Sequence, residues 1–149
     1  MFSKVFILTM LVLMPSAAAA EARAPIVVGE GDFSIAVEFR LAQGYLLSNE
    51  APSEVSVQFA DRADGHVTDA TLKLGDGLED HAVAVAVGTL NGDEGELEIT
   101  GRLYYCATDS RLCHVHMLSE RQLVLRLKGG GGVARIPLAI RPRVLNLPR

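Results

Sequence analysis

Apolar and polar residues alternate with a period of two over most of this chain. Phe33, Ile35, Val37, Phe39 and Leu41 alternate with Ser34, Ala36, Glu38, Arg40 and Ala42. A strand points successive side chains to opposite faces, so this run predicts a strand with one buried face. Gly44 ends it. Val55, Val57 and Phe59 alternate with Ser56 and Gln58 and predict a second strand, and Thr71 to Leu74 is a short third. Ala82 to Val87 predicts another, with Val83, Val85 and Val87 turned inward. Leu97, Ile99, Gly101 and Leu103 share one parity, against Glu96, Glu98, Thr100 and Arg102. Leu123, Leu125 and Leu127 alternate with Gln122, Val124, Arg126 and Lys128. Val133 to Ile140 is a last strand, with Val144 and Leu145 as a candidate extension past Pro142.

Turn-forming residues separate these runs: Asp64-Gly65, Gly75-Asp76-Gly77, Asn91-Gly92-Asp93 and Gly129 to Gly132. Gly and Asn supply the positive φ that tight turns need. The four-glycine run reads as a hairpin tip, because an alternating strand follows at once. Met117 to Leu127 fits a helix by length, but its second half alternates as a strand does. Short strands at regular spacing with such turns predict an all-β fold, a β-sandwich.

The first twenty residues follow another rule. Lys4 precedes the apolar run Val5 to Met14; Pro15 and Ser16 end it, and Ala17 to Ala20 form a small-residue cleavage site. This is the layout of a secretory signal peptide. The apolar run is shorter than the about 20 residues of a membrane-spanning helix. We therefore expect residues 1–20 to be removed and residues 21–149 to form one soluble domain without membrane insertion. A chain of that size buries enough surface to fold without disulfides.

Charge and composition then exclude some partners. The net charge is −4, and −5 once Lys4 is removed. Nothing in that balance offers a basic face to nucleic acid. Trp is absent and aromatic residues make up 5% of the chain, too few for a platform that stacks bases or sugars.

The chemistry concentrates in Leu103-Tyr104-Tyr105-Cys106-Ala107-Thr108-Asp109-Ser110-Arg111-Leu112-Cys113-His114-Val115-His116. These are the only two cysteines, six residues apart, with Thr108-Asp109-Ser110 as a turn former. Outside the cytosol such a pair oxidises and stays oxidised. On antiparallel flanks the two face each other across a hairpin. A non-hydrogen-bonded pair there has Cα atoms about 4.5 Å apart, within disulfide reach. Three readings remain open at this point: a structural disulfide, a redox-active one, and a copper or zinc site built from the cysteines with His114, His116 and Met117. Strand parity opposes the third, since His114 and His116 face away from Cys113. For exchange, Arg111 and His114 would favour a thiolate and Asp109 would oppose it. Tyr104 and Tyr105 would either shield the pair or pack the strand. His66 and His81 fall at turns or strand starts and read as exposed. Ser110 near His114 lacks the Gly-x-Ser-x-Gly elbow of a hydrolase.

The stretch Gln43-Gly44-Tyr45-Leu46-Leu47-Ser48-Asn49-Glu50-Ala51-Pro52, followed by Leu103-Tyr104-Tyr105-Cys106 and then Cys113, carries a resemblance. It resembles the β-sandwich module at the C-terminus of NHL-repeat proteins that carry a thioredoxin-like domain. That module is itself similar to the N-terminal periplasmic domain of the thiol:disulfide interchange protein DsbD. The resemblance spans Phe33 to Leu127. It implies an immunoglobulin-like antiparallel sandwich in the periplasm, with the cysteine pair on adjacent strands at one end. It implies thiol:disulfide exchange without a cofactor. Cys113 would form mixed disulfides with partners and Cys106 would resolve them. The partners would be a thioredoxin-like or membrane-embedded thiol reductase and downstream disulfide proteins. The alternative is a non-catalytic interaction module with a structural disulfide.

Overall fold

The computed structural model describes residues 23–48, 50–74 and 80–142, leaving aside the side chains of 69–74. The segment read as a signal peptide, the Gly75-Asp76-Gly77 turn and the extension at Val144 and Leu145 lie outside the described residues. Among the described residues nine strands form two sheets, packed as a β-sandwich, with no helix long and apolar enough to cross a membrane. They are β1 (Ile26–Val28), β2 (Asp32–Leu41), β3 (Tyr45–Leu47), β4 (Glu54–Phe59), β5 (Gly65–Leu74), β6 (His81–Leu90), β7 (Glu94–Ala107), β8 (Cys113–Arg126) and β9 (Val133–Ile140).

One sheet has the order β1-β8-β7-β3, with β4 pairing β7 further along the same edge; the other has the order β5-β6-β2-β9. Antiparallel pairing dominates. The edge strands β1 and β9 depart from it, running parallel to β8 and β2.

The alternation predicted for β2 is realised in full. Phe33, Ile35, Val37, Phe39 and Leu41 are all buried, and they meet Leu97, Ile99, Leu103 and Val124 of the facing sheet in one core. Each such side chain contributes about 1.5–3 kcal/mol by leaving water. β6 corrects the expected parity. Ala82, Ala84 and Ala86 point inward, while Val87 is 37% exposed. The register explains this. Phe39 lies opposite Ala82, Val37 opposite Ala84, Ile35 opposite Ala86 and Phe33 opposite Gly88. Bulky residues on β2 leave room only for small ones beside them on the same face, so packing density outweighs hydrophobicity. β8 corrects the pattern too. Its buried parity is Leu118, Gln122 and Val124, and Leu127 is 54% exposed. Gln122 is tolerated there because its Nε2 donates to Ala24 O (2.9 Å) and Leu123 O (3.0 Å).

The four-glycine run is not a hairpin tip. β8 and β9 belong to different sheets, and the run carries the chain between them. There it packs backbone against backbone. Gly29 N–H donates to Gly131 O (2.9 Å), and a Cβ on Gly130 would collide with Val28 O. Gly101, at φ 148°, has a similar part in β7. A side chain there would strike Glu54 O, so glycine allows β4 to approach where β7 exchanges β3 for β4 as its neighbour.

Candidate functional site: the cysteine hairpin

β7 and β8 pair without interruption from Glu94–Leu125 to Cys106–Cys113. Beyond the cysteines the hairpin closes through a short turn. Ala107 N–H donates to Leu112 O (2.8 Å), and Arg111 N–H donates to Ala107 O (3.1 Å). Inside the turn, Ser110 N–H donates to Asp109 Oδ1 (2.6 Å). Thr108 N–H (2.9 Å) and Oγ1 (3.2 Å) both donate to Gly44 O, which ties the tip to the β2–β3 connection. Arg111 sits at φ 57°, the one non-glycine residue with positive φ among the described residues.

Since Ala107 and Leu112 form a hydrogen-bonded pair, Cys106 and Cys113 form the next, non-hydrogen-bonded one. Their Cα atoms are 3.9 Å apart and the sulfurs are bonded at 2.05 Å. The cross-strand disulfide expected from the spacing is therefore present. Its halves are unequal. Cys106 is half-buried and Cys113 is exposed. On the side of β7 away from β8, Leu46 of β3 lies directly opposite Cys106. Leu46, Cys106 and Cys113 thus stand abreast on one sheet face. β8 has no further strand beside Cys113 among the described residues.

The neighbouring side chains divide between the two faces. Tyr104 and Val115, paired across the hairpin, share the outer face with the disulfide. Tyr104 is half-buried and lies under the Arg102 guanidinium, 5.9 Å from its ring centroid. Val115 is 52% and Met117 70% exposed on this face. Tyr105 and His114 occupy the inner face, opposite the sulfurs. Tyr105 is buried, stacks on His114 at 5.4 Å and meets Tyr45 edge-on at 5.6 Å. Burial raises the Tyr105 phenol above its ordinary pKa, and the neighbouring Tyr45 adds to the shift. Tyr105 therefore packs the strand and does not cover the disulfide, and the His114 ring is turned from the sulfurs by the same parity. Arg111 remains close through its backbone, with its carbonyl oxygen 3.7 Å from Cys113 Sγ. The Asp109 carboxylate is engaged by the Ser110 amide.

Metal ligation lacks a donor set here. The two sulfurs are bonded to each other, and no group of three His, Cys, Asp or Glu gathers in a ligating arrangement among the described residues. His66 and His81 are exposed, and His81 Nδ1 lies 3.2 Å from Asp80 Oδ1. The residues that sequence reasoning missed are Leu46, which backs Cys106, and Val115, exposed beside Cys113. The signal for Leu46 was the short apolar run Tyr45-Leu46-Leu47 after Gly44, too brief to stand out as a strand. No family model matches the chain, and no curated protein is similar to it at a significant level.

Proposed function

We propose that this chain is a periplasmic thiol:disulfide exchange module of immunoglobulin-like, DsbD N-terminal type, working through Cys106 and Cys113. The observation that carries this reading is the unequal access to the two sulfurs. Displacement at sulfur needs the nucleophile in line behind the bond that breaks. The bond runs across the sheet from β7 to β8. In the sheet Leu46 stands beyond Cys106, whereas beyond Cys113 no described strand follows, so the approach to Cys113 is the less obstructed one. Cys113 is the attacked sulfur and Cys106 the leaving group.

A thiolate of a partner's dithiol attacks Cys113 Sγ. The new bond joins the partner sulfur to Cys113, the Cys106–Cys113 bond breaks, and Cys106 leaves as a thiolate that takes a proton from water. The partner's second thiolate then attacks its own sulfur in the mixed disulfide and releases Cys113. Two electrons have passed to this chain, and the partner departs as a disulfide. In the forward step the Cys113 thiolate attacks a downstream disulfide, and Cys106 resolves the adduct. The upstream partner is a thioredoxin-like or membrane-embedded thiol reductase, and the downstream partners are periplasmic disulfide proteins. No cofactor enters.

A second reading is a non-catalytic interaction module whose disulfide is structural. The position of the bridge favours it, next to a turn that holds Arg111 at positive φ. The reduction potential separates the two. A relay has a value between about −300 and −120 mV, and a structural bridge falls below about −300 mV. In cell extract, Cys106→Ala should trap a mixed disulfide through Cys113, whereas Cys113→Ala should trap little. Absence of any Cys113 adduct, together with a potential below that bound, would leave the structural reading.

A further inference from the structure

Among the described residues, the outer edge of β8 is unpaired beside the disulfide. β1 pairs only with Val124 to Arg126; the chain just before it still touches β8, through Ala24 O, which accepts from Gln122 Nε2, and Arg23, which meets Glu120 at 3.2 Å, and no described strand pairs with Cys113 to Ser119 on that side. The ladder fixes which backbone groups face the gap. Ala107 N–H donates to Leu112 O, and Arg126 N–H donates to Asp93 O. Even-numbered residues of β8 therefore turn their backbone groups toward β7. Cys113, Val115, Met117 and Ser119 turn theirs toward the gap.

Sheet edges are usually blunted by charge or proline. β9, an edge of the other sheet, carries Arg135 and Pro137. From Cys113 to Ser119, β8 carries neither proline nor any Asp, Glu, Lys or Arg, and it exposes Val115 and Met117. The charged residues that β8 itself carries begin further along, where Arg121 Nη1 meets Glu96 Oε1 at 2.9 Å; level with Met117 the nearest charge lies one strand in, on Arg102, which is held by Glu54 at 3.0 Å on the side away from the gap.

We propose that this edge receives an extended, cysteine-bearing segment of the protein partner as an added strand. The proposal rests on the exchange reading above and specifies how the partner docks. The segment is uncharged, pairs its backbone with Val115 and Met117, and lays alternate apolar side chains beside theirs. A residue directly opposite Cys113 in such a pair has its Cα about 4.5–5.5 Å away, which is disulfide spacing. A partner cysteine there stands behind Cys113, on the side from which Cys106 is displaced. One set of backbone bonds thus selects the partner, chooses the sulfur and sets the line of attack. The step is the one already balanced: partner sulfur to Cys113 forms, Cys113 to Cys106 breaks, and Cys106 is protonated from water.

The probe is a capped peptide of alternating valine and threonine with one central cysteine, compared with glutathione as a thiol that cannot form a strand. Exchange with the oxidised protein should be at least about tenfold faster for the peptide at equal thiolate, the effect of a net hydrogen bond or two. Met117→Pro removes an N–H that faces the gap and breaks no bond to β7. It should abolish the peptide's advantage and leave the glutathione rate unchanged, while Met117→Ala keeps most of the advantage. A peptide N-methylated on the edge facing β8 should fall to the glutathione rate with the unaltered protein, so the test does not depend on the folding of a variant. Equal rates for peptide and glutathione would overturn the docking proposal and spare the exchange reading. Failure of both thiols to open the bridge would end both. A protein dimer dissociated by Met117→Pro would assign the edge to a second copy of the chain and also overturn the proposal.

Discussion

Tyr105 is held in its neutral form by what surrounds it. Its ring is buried against Tyr45 and His114, and both burial and the nearby Tyr45 raise its pKa. The folded protein therefore keeps this proton at a pH where the unfolded chain releases it. The sign follows from linkage: the contribution is intact below the unfolded value of about 10 and is lost as pH rises through the raised folded value. Tyr105→Phe should flatten the loss of stability between about pH 9 and about pH 11, read by urea unfolding at each pH. An unchanged slope would mean that the phenol reaches solvent. Arg111 makes a different residue-scale prediction. At φ 57° it bears the steric cost of a left-handed residue, about 1–2 kcal/mol, which glycine does not. Glycine gives back part of that through its looser unfolded chain. Arg111→Gly should therefore stabilise the oxidised protein by about 0.5 kcal/mol in the same urea assay.

Elements were legible where one large, regular face decided them, and illegible where a neighbour decided them. β2 could be read directly, because five bulky side chains on one parity have only the core to go to. β6 could not. Its valines are more apolar than its alanines, yet the alanines face in because β2 fills the space beside them. This makes a prediction opposite to hydrophobicity alone. Ala86→Val should cost about 1–3 kcal/mol by overpacking against Ile35. Val87→Ala, at a position 37% exposed, should cost well under about 1 kcal/mol. Paired denaturant titrations of the two variants check the order. The cysteine hairpin was legible as a disulfide, since the spacing and the turn residues are local. Its surroundings were not. The neighbour opposite Cys106 is Leu46, sixty residues away and in a three-residue strand. That no described strand pairs β8 beside Cys113 depends on where β1 stops pairing. Both are set by long-range register, which periodicity does not report. The run Gly129 to Gly132 escapes periodicity for the same reason: it holds a β-turn, with Gly130 N–H donating to Leu127 O and Gly129 at φ 82°, but it leads from one sheet to the other and packs backbone against backbone on β1, so it is no hairpin tip.

For the whole molecule the question is whether opening the disulfide disturbs the fold that presents it. The core is formed by β1, β2, β4, β6, β7, β8 and β9 side chains between the two sheets, and neither cysteine belongs to it. The bridge closes a short loop, seven residues in sequence separation, at the end of a ladder that continues to Glu94 and Leu125. By the chain-entropy estimate such a loop contributes about 2.5 kcal/mol. A domain of this size has about 5–15 kcal/mol in total, so the reduced protein should stay folded and lose only that fraction. Urea unfolding of the oxidised and reduced forms should differ by about 2–3 kcal/mol. Hydrogen exchange on reduction should quicken only around Ala107 to Leu112, where the turn closes, and leave the amides of β2 and β6 protected. A carrier must pass between both redox states without unfolding, because an unfolded reduced form would expose its core in each cycle. Loss of cooperative folding on reduction would therefore remove the relay as a workable function, and a local, reversible loosening is what the position of the bridge in the sandwich leads one to expect.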